Sequence, residues 1–297
     1  MAHSTTTDGF LDAHLHLYPQ KRLSGLIRWM HSFFPDHPVP MDATLDDVLC
    51  DLRRHSYTTF VALVYPLVPG ESKWLNSFIS DLARAIPGMV PFGCVHRDDD
   101  SPRVIVEDAI DRLGLAGLKF HPMVQHFDPW DSRLFGVYDV MNERRRPIYI
   151  HTGFDEWYGY HLPDHSLEML LQRYPDITFV FCHMLFPRLE RAFALLREYP
   201  NLYLDATNVF GTIALFRKTG TDLQGLDIAK VREEIERHCR RIMLGTDHPA
   251  GMGSIGTILD EFHEFGLSRE AESHIMRTTA STFLKSTCPE FVGGDLV

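Results

Sequence analysis

Gly9-Phe10-Leu11-Asp12-Ala13-His14-Leu15-His16-Leu17-Tyr18 is the stretch from which the rest of the chain is read. Taken with a period of two it is a β-strand, with Leu11, Ala13, Leu15 and Leu17 on one face and Asp12, His14 and His16 on the other. One face is hydrocarbon. The other sets two imidazoles side by side, next to a carboxylate. Imidazole is a common ligand of transition metals, and a spacing of two is the closest that keeps both rings on one side. A surface strand that happens to hold two histidines has the same pattern, so His-x-His alone leaves both readings open. The ends of the later strands decide between them.

Downstream, short apolar runs alternate with longer amphipathic segments, and no low-complexity tract or linker interrupts them. The runs at 10–17, 58–64, 89–95, 117–121, 147–151, 177–183, 202–206 and 242–246 read as eight strands. Helical periodicity fills the intervals, as at 42–55, where Leu45, Val48, Leu49 and Leu52 share a face. Pro87-Gly88, Gly114, Pro175 and Pro200 stop the helices before them. The connection 207–239 is longer and holds two helices, the clearer at 228–238. The proline- and aromatic-rich stretch 18–40 is too long for a turn and reads as a lid over the site, with a short helix at 25–34. Eight strands alternating with helices predict an α/β chain folded as one closed (β/α)8 TIM barrel over 1–297. A doubly wound open sheet would show a glycine-rich turn after its first strand, and none is present.

The bulk properties narrow the partners. Apolar content of 44% and charged content of 23% are those of a soluble globular protein. A net charge of −11 argues against nucleic acid and anionic membranes, which need a basic surface, and leaves a small-molecule substrate. The five cysteines are odd in number, widely spaced and without a Cys-x-x-Cys pair, which speaks against disulfides or a thiolate zinc site and for a reducing, cytoplasmic setting. Met1 to Asp8 is polar and lacks the apolar core of a signal peptide. The most apolar stretch, 177–186, is too short to span a bilayer as a helix.

In such a barrel function sits at the C-terminal ends of the strands. Strand one ends in His14 and His16, strand four in Lys119-Phe120-His121-Pro122, strand five in His151-Thr152-Gly153, strand six in His183-Met184, and strand eight in Gly245-Thr246-Asp247-His248-Pro249. Polar caps on barrel strands are the bland explanation. Five ends that agree in residue type favour a functional centre. This set resembles the amidohydrolase superfamily of metal-dependent barrels, and most of all the amidohydrolase-related branch that includes aminocarboxymuconate-semialdehyde decarboxylase. The resemblance covers nearly the whole chain. It implies that His14, His16, His151 and Asp247 hold a metal, and that His183 sits beside the metal-bound water or completes a second metal site. Members of the branch often form dimers, so a homodimer is the implied alternative to a monomer.

Three imidazoles and a carboxylate suit Zn²⁺, with Mn²⁺ or Fe²⁺ as alternatives. A catalytic Zn²⁺ site keeps a position open for water and brings hydroxide within reach of neutral pH. Asp247 is then placed to take the water proton and pass it to a leaving group, and His183 to donate to a substrate carbonyl. Lys119 stays ambiguous: in binuclear members of the superfamily a strand-four lysine is carboxylated and bridges two metals, whereas a free amine binds a substrate carboxylate and leaves one metal. His121 alternates with Lys119 and is a candidate for substrate contact. So are Arg188, Trp157 and Tyr158, the last two in an aromatic loop after strand five, and, less convincingly, Arg217. Asp12 is expected to receive an imidazole N–H, and His248 to point away. Three functions follow. The first is a metal-dependent hydrolase in which metal-bound hydroxide attacks a C–N or C–O bond of a small amide, lactam, lactone or ester. The second is a non-oxidative decarboxylase, and the third a non-catalytic metal-binding barrel.

Overall fold

The computed structural model describes residues 10–55, 57–163, 165–220 and 225–291, so the polar stretch Met1 to Asp8 lies outside the described residues. Eight strands run in the order β1 (Asp12–His16), β2 (Phe60–Leu63), β3 (Met89–Gly93), β4 (Gly117–Phe120), β5 (Ile148–His151), β6 (Phe179–Cys182), β7 (Leu202–Asp205) and β8 (Ile242–Met243). They form one sheet in sequence order, every pair parallel. β8 is shorter than the expected 242–246, because the chain leaves β7 there and continues along β1. Ala13 N donates to the Leu244 carbonyl at 3.0 Å, Asp247 N to that of His14 at 2.7 Å, and His16 N to that of His248 at 2.8 Å. These bonds close the barrel and tie strand one to the turn that carries Asp247.

The sheet separates two cores. Inside lie Val61, Leu63, Val90, Phe92, Tyr149, Val180 and Met243, and the helix Thr279–Thr287 presses Phe283 against Tyr149 and Tyr203 at the end away from the histidines. Outside, Phe60, Ala62, Leu118, Ile150, Phe181 and Leu204 meet the surrounding helices. Every position of β1 is buried, as a parallel barrel covered on both faces requires, so a surface strand is excluded. Its period of two does not run through. Leu11 and Ala13 join the inner core, whereas Leu15 and Leu17 join the outer one. The register slips between Asp12 and Leu15, and this bulge turns His14 and His16 inward.

The stretch 18–40 contains a helix longer than expected, Gln20–Phe33, which buries Leu23, Ile27 and Met30. The aromatic loop after strand five contains one helical turn, Asp155–Tyr158. All five cysteines are free. No helix among the described residues is long and apolar enough to cross a membrane.

Candidate metal centre

His14 and His16 leave β1 with their Nε2 atoms 3.3 Å apart. The turn after β8 brings Asp247 Oδ1 to 3.1 Å from His16 Nε2 and 3.4 Å from His14 Nε2. One donor atom each from His14, His183 and Asp247 lies within 4.8 Å of the others. His183 Nε2 in turn faces His151 Nδ1 at 3.2 Å. Four imidazoles and a carboxylate from four strand ends therefore form one contiguous set.

Each imidazole spends its other nitrogen on the protein. His14 Nδ1 meets Asp205 Oδ2 at 2.5 Å, His16 Nδ1 the Leu63 carbonyl at 2.9 Å, His183 Nδ1 the Thr207 carbonyl at 2.9 Å, and His151 Nε2 the Gly153 carbonyl at 3.0 Å. Assigned from these acceptors, the N–H of each ring points outward and a lone pair points into the shared space. Lone pairs that face each other at 3.2 and 3.3 Å repel unless a cation stands between them. An imidazole anchored through one nitrogen and bare at the other is how histidines hold metals, so the residues present fit a divalent ion. Burial, with the nearby Lys119 cation, pushes the His14 imidazole well below its ordinary pKa. Burial likewise lowers His151 and His183 and keeps both neutral. Burial opposes charge on Asp247, but positive charge at the His14 and His16 nitrogens, the place a bound cation would take, holds the carboxyl below the usual carboxylate range.

Backbone strain gathers at the same place. Among the described residues, non-glycine positions with positive φ include Phe154 (62°), His183 (60°), Asn208 (64°) and Asp247 (60°), all of which wall the chamber above the donors. Such conformations persist only where the surroundings enforce them, and they collect at functional sites. The lid helix supplies Leu26, Trp29 and Met30 to the chamber; Tyr65, Trp157 and Tyr158 complete its aromatic wall. Trp29 stacks on Tyr158 at 5.9 Å and Phe33 on Trp157 at 5.8 Å. His121 reaches the chamber and lies flat on His151, with 3.8 Å between ring centroids.

The other expected residues are placed differently. Lys119 is fully buried and does not line the chamber; its Nζ donates to Cys182 Sγ at 2.8 Å. Burial pushes that thiol up to about 12, so Cys182 is a neutral acceptor. Arg188 lies outside the chamber, where Nη2 donates to Asp155 Oδ2 at 2.9 Å. Arg217 sits 5.9 Å over the Phe265 ring and does not line the chamber. Asp12 receives no imidazole N–H. The bulge in β1 sends it to the His14 and Thr246 backbone amides at 3.0 Å each, to the Thr246 hydroxyl at 2.5 Å and to the Tyr57 hydroxyl at 3.0 Å. His183 cannot donate from Nε2 while its proton is held at Nδ1 by Thr207, so in this tautomer it is an acceptor or ligand. His248 does point away, its Nε2 3.7 Å from Asp51.

Sequence reasoning passed over Asp205, Thr207, Asn208 and Tyr65. Asp205 anchors His14 and accepts the Thr207 amide at 2.9 Å, and Asn208 Nδ2 donates to Asp247 Oδ2 at 2.8 Å. The end of β7 was the signal available: inspected like the other strand ends, it gives Asp205. Asp205→Asn removes the charge that fixes the His14 tautomer. A chelator competition should show metal affinity weakened about 10–100-fold, the scale typical of such anchors, with the circular dichroism spectrum unchanged. Wild-type affinity in this variant would mean that Asp205 does not orient His14.

A family model described as amidohydrolase matches residues 11–285. No curated protein matches the chain. Among solved structures, an uncharacterized TIM-barrel protein from Bordetella bronchiseptica is 17% identical at a TM-score of 0.71, over 94% of this chain and 99% of that one. A 5-carboxyvanillate decarboxylase from Sphingomonas paucimobilis is 12% identical at 0.64, over 93% and 99%. A structure described as a putative 2-pyrone-4,6-dicarboxylic acid hydrolase from Pseudomonas putida is 18% identical at 0.60, over 92% and 96%. At these identities the likeness is one of fold.

Proposed function

Since the chain belongs to the amidohydrolase family, we propose that it is a metal-dependent hydrolase that cleaves a C–N or C–O bond of a small carbonyl compound with water. The donors for the metal are His14, His16 and Asp247, together with the facing pair His151 and His183. Zn²⁺ suits this donor set best, with Mn²⁺ and Fe²⁺ as alternatives. When bound, such an ion supplies Lewis acidity and lowers the pKa of water from 15.7 toward about 7.

The setting of Asp247 carries the reading. Its Oδ2 accepts from Asn208, and its Oδ1 stands 3.1 and 3.4 Å from the bare nitrogens of His16 and His14, where a divalent ion shared among them would hold the carboxyl ionised. A carboxylate so placed takes a proton from water as the water attacks and returns it to the departing nitrogen or oxygen. Burial makes the His14, His151 and His183 imidazoles weak bases, and their bare nitrogens would be spent on the metal, which leaves the proton to Asp247. The lid helix and the aromatic wall keep bulk water from the reacting group.

Decarboxylation is the second reading, and two observations favour it. Trp29, Tyr65 and Tyr158 give the chamber an aromatic wall, against which the planar carboxylate of a ring held outside it can lie. Lys119, which a carbamate bridge between two metals would require in the chamber, turns to Cys182 instead. One similar fold belongs to a decarboxylase and one to a structure described as a putative hydrolase. The isotope fate of the product separates the two. Metal-loaded protein is incubated in H₂¹⁸O with phenyl acetate, phenylacetamide and dihydrocoumarin, and in D₂O with 5-carboxyvanillate and 2,6-dihydroxybenzoate. One ¹⁸O in the acid product, without CO₂, is the expected result. Release of CO₂ with deuterium on the ring, and no ¹⁸O incorporation from any ester, amide or lactone, would replace hydrolysis by decarboxylation.

A further inference from the structure

The chamber above the donors has a volume of about 40 Å³. That exceeds the roughly 10–15 Å³ needed for one water but falls well short of the cavity of about 150 Å³ that takes up benzene. It has room for a reacting carbonyl and a water, and none for a ring beside them. A second cavity of about 310 Å³ adjoins it, and the two share Phe154, Trp157 and Met252 in their walls. Phe186, Leu215 and Phe216 make the rest of the outer cavity largely apolar. Trp157 and Leu215, two of the large apolar side chains left exposed, both face it.

Glu156, His161, Arg188 and Thr212 also reach the wall of this outer cavity, and Asp155 is the most buried charged group among them. Its side chain is buried in the wall of the outer cavity, and Oδ2 is taken by Arg188. Oδ1 is also buried and has no hydrogen-bond partner among the described residues. A buried carboxylate oxygen without a donor is costly and leaves the carboxylate short of donors, and a ligand in the cavity can supply one at the edge that stays open, 8% of the side chain.

We infer that the outer cavity is the specificity subsite of this enzyme: it binds the non-reacting part of the substrate, a flat apolar group that carries a hydroxyl or amino donor for the Asp155 carboxylate, while the carbonyl reaches through the gap beside Phe154 and Trp157 to the donors. The inference rests on the proposed hydrolysis only for what happens to the carbonyl; the subsite binds whether or not the bond is cut.

Isothermal titration of the purified full chain with three amides tests it. Acetamide fills the inner chamber alone, phenylacetamide adds a ring, and the better of 3- and 4-hydroxyphenylacetamide adds the donor. Each addition should tighten Kd by about tenfold or more, the value of one well-placed contact. In Asp155→Asn the hydroxyl advantage should fall below about threefold while the ring advantage stays, because the neutral amide accepts more weakly than the ion. In Leu215→Trp, which fills the outer cavity from an exposed position, the ring advantage should vanish while acetamide binds as before. Equal affinities for the three amides in the wild type, or a ring advantage that survives Leu215→Trp, would overturn the subsite. Turnover, followed separately by ammonia release, bears on hydrolysis alone. A chain that hydrolyses none of the amides yet shows these affinities keeps the subsite and loses the hydrolase reading; one that hydrolyses all three with equal affinities does the reverse.

Discussion

Asp247→Ala should yield a folded chain that carries less than a tenth of the metal of the wild type and has lost at least about 10³-fold in kcat/KM, the scale on which one preorganised charge matters. The size of the effect follows from what the carboxylate touches. Among the described residues its Oδ1 is the one anionic oxygen within 3.4 Å of both His14 and His16 Nε2. Without it four neutral imidazoles must hold a dication, and the base that the hydrolysis needs is gone. The fold should survive, because the Asp247 amide still bonds the His14 carbonyl and keeps the barrel seam. Asp247→Asn separates the two roles. It keeps an oxygen for Asn208 and for a metal but cannot accept a proton, so it should retain more metal than the alanine variant and no more activity. Elemental analysis beside the kinetics checks both. About one metal per wild-type chain agrees with Lys119 facing Cys182, whereas about two would require that lysine to leave the thiol and enter the chamber. Full metal occupancy in Asp247→Ala would remove Asp247 from the centre and the proposed base with it.

How much of this was legible depended on whether a residue's role is local. The histidines of β1 were visible because a period of two and a shared residue type need no knowledge of the fold. The strand ends were visible once eight strands were counted, because a barrel brings its strand ends together whatever their separation in sequence. Asp205 was not visible in that way. It ends an ordinary apolar strand, and its meaning lies in a contact with His14 across 191 positions. Asp12 was misread for the opposite reason: the period was trusted through a bulge, and a one-residue slip moves every later side chain to the other face. For Lys119 the inward placement followed from alternation, but not the Cys182 thiol that holds it below the chamber. The two cavities were out of reach altogether, since they depend on how the turn Asp155–Tyr158 and the lid helix pack.

Gly245→Ala should destabilise the chain by about 2–3 kcal/mol, within the cost of forcing an extra carbon into a packed site, and lower Tm by about 5 °C or more. Gly245 has no positive φ to require glycine; what it lacks is space. A Cβ there would lie 2.4 Å from His14 Cβ, 2.5 Å from Thr207 Oγ1 and 2.7 Å from His14 N. None of these is the free end of a flexible chain. His14 is fixed by the seam and by Asp205, and Thr207 by its amide and hydroxyl bonds to that same Asp205. Relief therefore has to part β1 from the turn after β8, which separates His14 and His16 from Asp247. Metal should be lost along with stability, although the substitution touches no donor atom. Gly25→Ala is the matched control: in the lid helix Gln20–Phe33 nothing lies within 4 Å of the added carbon, and exchanging glycine for alanine in a helix should stabilise by roughly 0.5–1 kcal/mol. The same chemical change thus takes opposite signs at two places in one chain. Thermal melts with and without chelator read both effects. If Gly245→Ala melts with the wild type and keeps its metal, the seam yields more easily than its packing implies, and the centre does not depend on the fixed spacing of β1 and the Asp247 turn.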